Sequence, residues 1–505
     1  MRNNKNRSLK LNIVASMVIQ VVSLVINLIS KRAIKYYLSV EYLGIQSIYA
    51  NFCDVLNFAY FGMGTAMLFS LYGALARNET NKVASYYRYY DNLYRKITWM
   101  VLGGGIICIL PVLYAVNADI SALEICITYL TYMLSVVLYN RRLVRNYFIQ
   151  ADQRRYFVAW VTGGVDGIAL ILEILLLKHF HSYELFVICI LVKNLFINLI
   201  FKWELKRSYS YLSYAADELE EKEKYAIKSN AADMIIYKFG SVLINNTDSI
   251  FISHFTSTAM VGIYSNYQFI LLGIRSFTGA LFEAIRSRVG HRAQTSGLEQ
   301  QYRGFQTYLL VNAWMMGVTV VCFYFLVEDF IHIWMGDVQM LSEKILLILI
   351  VNYYLEEAHN AVKIYRETAG LFRNIRIMIM AKGLLNIVLS YFMGKYWGLT
   401  GVIVATTVAS AATLFWYEPK VVFGYFKKSL WNEAFYHVAT LSFLAVSFFT
   451  TKLALQNLSG TGFISFLLKA LICVFVSNLV YLTAAGIYMI CKKFSGVKNE
   501  NDKSR

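Results

Sequence analysis

Proline is almost missing from this sequence: Pro111 and Pro419 are the only two in 505 residues. Helix bending is therefore expected from glycine or local unwinding, with "LGGGI" at 102–106 and "WVTGG" at 160–164 as candidates. Charge is scarce too. Asp, Glu, Lys and Arg make up 16% of residues, against about a quarter in soluble domains, which excludes an ordinary soluble enzyme. The seven cysteines form no Cys-x-x-Cys pair and read as small apolar packing residues rather than redox or metal groups. His179, His181, His254, His332 and His359 have no ligand spacing, so no metal is assigned. There is no glycine-rich phosphate loop, no nucleophile motif and no extramembrane segment large enough for a catalytic core. No catalytic residue and no enzymatic activity are expected.

What the chain has is apolar length. Residues are 58% hydrophobic, the mean hydropathy is +0.48, and runs of about 20 apolar residues recur, each able to cross roughly 30 Å of hydrocarbon. The reading is an all-α polytopic membrane protein of about fourteen spans. Their centres fall near residues 21, 56, 105, 133, 167, 194, 242, 273, 315, 351, 384, 409, 443 and 478. The second, eighth and tenth are the most polar. The start "MRNNKNRSLK" leads into a long apolar stretch with no small-x-small cleavage site, which reads as an uncleaved first helix.

The net charge of +17 does not imply nucleic acid. Threaded from a cytoplasmic amino terminus, most Lys and Arg fall in inward segments, including "NRRLVRN" at 140–146, Arg286 to Arg303 and Arg366 to Arg376. That asymmetry follows the positive-inside rule and puts both termini in the cytoplasm. The basic ends also suit anionic phospholipid head groups.

The polar stretch "ELKRSYSYLSYAADELEEKEKYAIK" at 204–228 divides the chain. The expected division is an amino-terminal six-helix lobe at 1–205, a cytoplasmic linker at 206–227, a second six-helix lobe at 228–430, a two-helix hairpin at 431–491 and a tail at 492–505. "LGIQSIYANF" at 43–52 and "VGIYSNYQFI" at 261–270 share Gly-Ile-x-Ser-x-Tyr, at Gly44 and again at Gly262. Each opens the second span of its half and runs the same way, so the halves read as parallel repeats, an arrangement that encloses a central site in transporters.

Charges within spans are expensive and face the bundle interior or water. Lys238, Ser241, Asn245 and Asp248 share one stripe of span seven, and Ser47, Asn51, Asp54 and Asn57 one stripe of span two. Span eight adds Gln268, Arg275, Glu283 and Arg286. The cations Lys193, Lys238, Arg275 and Lys382, on four helices, would together line a cavity for an anionic solute. Lys31, Arg32 and Lys35 close span one, either joining that cavity or snorkelling to head groups. Simple pairing is the alternative, for example Lys238 with Asp54 or Arg275 with Glu283. Asp166, Glu173, Glu356 and Glu357 are intramembrane carboxylates that either balance the cations or couple transport to H+ or Na+. No other cofactor is expected. Most of the 38 tyrosines, as in "YYRYYDNLY" at 86–94, read as an interfacial belt.

"YLSVEYLGIQSIYANF" followed by "FGMGTAMLFSLYGALARNETNKVASYYRYYDNLYRKI" resembles the first half of Wzx-type polysaccharide transporters. "YKFGSVLINNTDSIFISHF", "VGIYSNYQFI" and "GLTGVIVATTVAS…FWYEPKVVF" resemble their second half. The resemblance implies a MATE/MurJ-like fold of two pseudo-symmetric six-helix lobes plus two carboxy-terminal helices. It also implies a flippase that moves undecaprenyl-diphosphate-linked oligosaccharide to the outer leaflet of a bacterial cytoplasmic membrane by alternating access, for capsule, exopolysaccharide or O-antigen-type biosynthesis. Polysaccharide polymerase and glycosyltransferases would be its partners. Lys238 and Asp248 fall in the family's seventh-span motif. Many relatives carry an acidic residue where this chain has Tyr60 before "FGMG", which puts ion coupling there in doubt. The competing readings are a MATE-type exporter of organic cations, a lipid II flippase and a membrane polysaccharide polymerase. The first predicts an acidic cavity, and the last a large external loop that this chain lacks.

Overall fold

A span in lipid must satisfy its backbone internally, and without a closed barrel that leaves the helix. The computed structural model describes residues 2–60, 63–213, 218–225, 227, 246–369, 371, 375–458, 460 and 462–503, and among them it is helical with no strand. In chain order the helices are α1 (Arg2–Tyr37), α2 (Val40–Leu56), α3 (Met63–Ala76), α4 (Thr80–Ile107), α5 (Ile109–Ala115), α6 (Ala122–Ala151), α7 (Arg155–Phe180) and α8 (Tyr183–Ser208). Then follow α9 (Asp248–Phe255), α10 (Thr258–Thr295), α11 (Leu298–Met335), α12 (Glu343–Glu357), α13 (Asn360–Thr368), α14 (Arg376–Ala412), α15 (Leu414–Tyr425), α16 (Trp431–Leu455) and α17 (Phe463–Lys503). A helix lies at every expected span centre except 242, which falls outside the described residues. Seven described helices are long and apolar enough to cross a membrane, counting 377–425 as one, and the bent pair α4–α5 makes an eighth. That run is broken inside α14 at Gly398, whose φ of 55° and ψ of −133° leave the helical region. The second, eighth and tenth spans miss the criterion because α2 and α12 are short and α10 is polar.

Two compact units emerge: residues 1–265 with 394–399, and residues 266–393 with 400–505. In the first, α6 packs against α8, α4 and α3, and α1 against α7. Its core is rich in tyrosine. Tyr86, Tyr90 and Tyr94, spaced i, i+4, i+8 on α4, are all buried. The stretch expected at an interface thus turns one face inward. Two of the three hydroxyls find partners, Tyr86 donating to Glu223 Oε1 at 3.0 Å and Tyr90 reaching Ser70 Oγ at 3.3 Å, while that of Tyr94 has none among the described residues.

The bends depart from expectation in one respect. α4 and α5 meet at 47°, just after the 103–105 glycines, but the residue that enforces the break is Pro111. Its ring crowds the Ile107 carbonyl four residues back, and it has no N–H to give. The second candidate, 160–164, makes no break; α7 is continuous through it. Gly163 serves close approach instead, since a Cβ there would stand 2.2 Å from Ile19 Cδ1 of α1.

The two repeated glycines meet in a reciprocal crossing within the first unit. A Cβ on Gly44 would lie 2.0 Å from the Thr258 carbonyl oxygen, and one on Gly262 would lie 2.2 Å from the Val40 carbonyl oxygen. Val40 opens α2 and Thr258 opens α10, each four residues before its glycine. The same pair of positions is thus exchanged between the two helices, as in a twofold contact.

In the second unit α11 packs against α17, α16, α12 and α13. Its core is an aromatic cluster of Tyr302, Tyr365, Phe423 and Phe426 around Phe305. Beneath it the Arg366 Nη1 to Glu418 Oε1 pair, 2.7 Å long with both side chains buried, joins α13 to α15. Lys469 on α17 reaches Asp329 on α11 at 2.7 Å.

Candidate functional site

The tenth span is not one helix. α12 stops at Glu357 and α13 starts at Asn360, with Ala358 and His359 between them. Neither Gly nor Pro marks the break; tertiary partners hold it. Asn312 on α11 donates through Nδ2 to the carbonyls of Glu357 at 3.0 Å and Ala358 at 2.6 Å, satisfying acceptors freed by the interruption. Lys363 Nζ donates to the Glu356 carbonyl at 2.6 Å.

Charge gathers at this break. Arg275 Nη2 on α10 lies 2.9 Å from Glu356 Oε2, and its Nε lies 3.4 Å from Glu357 Oε1. Lys382 Nζ on α14 lies 3.5 Å from the other Glu356 oxygen. Asn360 donates to Glu357 Oε2 at 2.6 Å, and the Arg275 guanidinium sits 5.8 Å from the Tyr353 ring centroid. Arg275 and Glu356 are each about a quarter exposed, at 27% and 21%, whereas Lys382 is buried at 7%. Three cations, Arg275, Lys382 and Lys363, thus stand around two carboxylates, Glu356 and Glu357.

Among the described residues Arg275 engages Glu356 and Glu357. The Glu283 side chain, together with Lys238, Ser241 and Asn245, lies outside the described residues, and with them the expected Arg275–Glu283 and Lys238–Asp54 contacts. Of the four cations expected to line one cavity, Lys193, Arg275 and Lys382 each stand beside a carboxylate.

In the first unit Lys193 Nζ on α8 lies 3.3 Å from Asp166 Oδ1 on α7. Ser30 of α1 donates to Glu173 Oε2 at 3.1 Å. Arg142 on α6, read in the sequence as part of a cytoplasmic basic run, is instead buried, with its guanidinium 4.5 Å over the Tyr139 ring. Its Nη1 has no hydrogen-bond partner among the described residues. Arg142 was missed because α6 continues into the packed interior past the point where a basic run suggests solvent. Lys31 Nζ donates to Ser265 Oγ at 3.3 Å, and that hydroxyl donates to the Gly262 carbonyl at 2.8 Å. Arg32, by contrast, is exposed. Asp248 heads α9 and is buried. Asp54 is exposed on α2 and makes no ion pair with a described residue.

Chemically, the break offers a partly exposed guanidinium, a planar fork that matches carboxylate or phosphate oxygens, set against two carboxylates.

No family model matches the sequence, and no curated protein matches it. The fold does have counterparts among solved structures. The lipid II flippase MurJ in an inward closed conformation aligns with a TM-score of 0.63 over 95% of this chain and 98% of its own, at 14% identity. An inward-facing multidrug resistance MATE family transporter of the MOP superfamily aligns at 0.64 over 82% of this chain and 97% of its own, at 11% identity. A MOP superfamily transporter from Pyrococcus furiosus, described by the reverse polarity of its binding pocket, aligns at 0.57 over 84% and 96%, at 12% identity. The chain therefore has the fold of MOP superfamily transporters. It is a multi-pass, all-α membrane protein whose structural neighbours are transporters.

Proposed function

We propose that the protein is a flippase for an oligosaccharide linked through diphosphate to a lipid carrier of the undecaprenyl type. It would move the head group from the inner to the outer leaflet of a bacterial cytoplasmic membrane by alternating access. Its own residues supply the support. The observation that carries the reading is the break between α12 and α13, where three cations face two carboxylates and the guanidinium of Arg275 remains partly open. A diphosphate-sugar head group cannot shed its water in hydrocarbon without replacement partners. Arg275, with Lys382 behind it, offers such partners, and the half-buried Asn360 amide offers another to a saccharide hydroxyl. An inside-negative potential adds about 2.3 kcal/mol per net negative charge per 100 mV to outward movement. Glycosyltransferases that build the head group and a polymerase that consumes it fit as partners.

Depletion of the protein in its host tests this reading. Lipid-linked oligosaccharide should accumulate on the inner face and surface polysaccharide should vanish, with drug sensitivity unchanged. Normal head-group export on depletion contradicts the proposal. Lipid II is a second reading, favoured by a MurJ alignment that covers 95% of this chain against 82% for the MATE transporter, a difference about as long as α16 and α17. Under it, depletion halts cell-wall synthesis rather than surface polysaccharide.

A further inference from the structure

Next to the broken span lies a second cluster that the transport reading does not use. His359 occupies the break itself, while Glu433 and His437 stand one turn apart on α16; all three are buried. His437 Nε2 is 3.1 Å from Glu433 Oε1, His359 Nε2 is 3.5 Å from the same oxygen, and the two Nε2 atoms are 3.4 Å apart. A tetrahedral shell with metal–ligand bonds of about 2.0–2.1 Å puts neighbouring donors roughly 3.3 Å from one another. The three contacts scatter around that value.

The surroundings fit a closed metal site. The Tyr354 hydroxyl lies 2.8 Å from His437 Nδ1, which fixes that ring and leaves Nε2 turned to the cluster, as outer-shell partners of metal-bound histidines do. Phe415 covers both imidazoles, with ring centroids 4.9 Å from His359 and 4.7 Å from His437. Apart from the two nitrogens facing it, neither oxygen of Glu433 has a hydrogen-bond partner among the described residues. A buried carboxylate without such partners is costly, and a divalent cation at the convergence of the three donors removes that cost.

We propose that His359, Glu433 and His437 bind one divalent ion of the zinc class, with a fourth position left to water. Two imidazoles and a carboxylate are a zinc-type donor set, too nitrogen-rich for Mg2+ or Ca2+, which prefer oxygen. The ion clamps the interrupted tenth span onto α16, so it acts at the base of the charge network rather than in it.

The test uses full-length protein purified in detergent through a histidine-free tag. The protein is incubated with Zn2+, desalted and measured by elemental analysis. The wild type should retain about one equivalent per chain, a stoichiometry set by one three-ligand site. Glu433→Gln and His437→Ala should each retain less than about a tenth of that. Tyr354→Phe, which keeps the ligands, should weaken zinc binding by roughly tenfold. Cobalt added to the wild type should give the intense visible bands of a tetrahedral site, and excess Mg2+ should not remove them. Because zinc and cobalt are read on the wild type, a variant that fails to fold does not spoil the result. A wild type with no retained zinc and no tetrahedral cobalt spectrum overturns the proposal, as does equal retention in Glu433→Gln. A normal export phenotype bears on the transport reading alone and leaves this site standing.

Discussion

The two units carry embedded charge in different ways. In the first, Lys193 and Asp166 are joined across neighbouring, unbroken helices, α8 and α7. In the second, Arg275, Lys382 and Lys363 come from α10, α14 and α13 to a place where a helix has been interrupted. A pair between continuous helices has every backbone group spoken for and can do little besides hold two helices. A network at a break has carbonyls to be satisfied and several donors and acceptors to exchange. The first arrangement resembles a fastening and the second a site.

Mutation can break that contrast, and the largest effect is expected at Arg275. Arg275→Ala leaves Glu356 and Glu357 short of a cation, and stripping one partner from a buried pair costs about 3–5 kcal/mol, nearer 3 here because the pair is partly exposed. Export of the head group should be abolished and thermal stability lowered, measured by outer-leaflet labelling and by unfolding of the purified protein. Arg275→Met with Glu357→Gln removes one charge of each sign and leaves Glu356 to Lys382, so stability should largely return while export stays lost. If export returns with stability, the network is glue after all and the contrast between the units disappears.

Next in size is the crossing of α2 and α10. Gly44→Ala drives a methyl against the Thr258 carbonyl and Gly262→Ala drives one against the Val40 carbonyl. Overpacking of this kind costs about 1–3 kcal/mol. The two should lower the melting temperature by similar amounts, because the contacts mirror each other. A strong effect from one and none from the other would show that the reciprocity is only superficial. Lys382→Met follows: its link to Glu356 is long at 3.5 Å, and Arg275 still holds that carboxylate at 2.9 Å. Several-fold slower export with near-normal protein level is expected, read by the same labelling.

How much of this could be read in advance depends on the range of the interaction. Helix positions were legible because apolar runs are local, and the duplicated Gly-Ile-x-Ser-x-Tyr stood in view, though the crossing of its two copies did not. Partner choice was not legible. Arg275 finds Glu356 far along the chain, at a break marked only by "EEAHN" and stabilised by Asn312 from another helix. Pro111 did carry a signal for the bend after α4, discounted because prolines were so few. Glu433 and His437 also stood in view at i, i+4, a spacing that puts both on one helix face, but their third companion, His359, comes from a different span. Local patterns fix where helices lie; pairings between helices are settled by packing.

The smallest effect is expected where the contrast is sharpest, at Lys193 and Asp166. Replacing both, with Lys193→Met and Asp166→Leu, removes a side-chain pair of about one-fifth to one-quarter exposure and substitutes apolar groups of similar size. A buried pair exchanged whole for hydrophobic residues is often neutral in stability, and a partly exposed pair contributes little, about 0–1 kcal/mol. The double variant should therefore melt within a few degrees of the wild type and export at close to the normal rate. Either single change should do worse than the double, since each strands one charge in the membrane. Should the double variant instead lose export while keeping its stability, Lys193 handles the head group as Arg275 does, and the first unit holds a binding residue rather than a fastening.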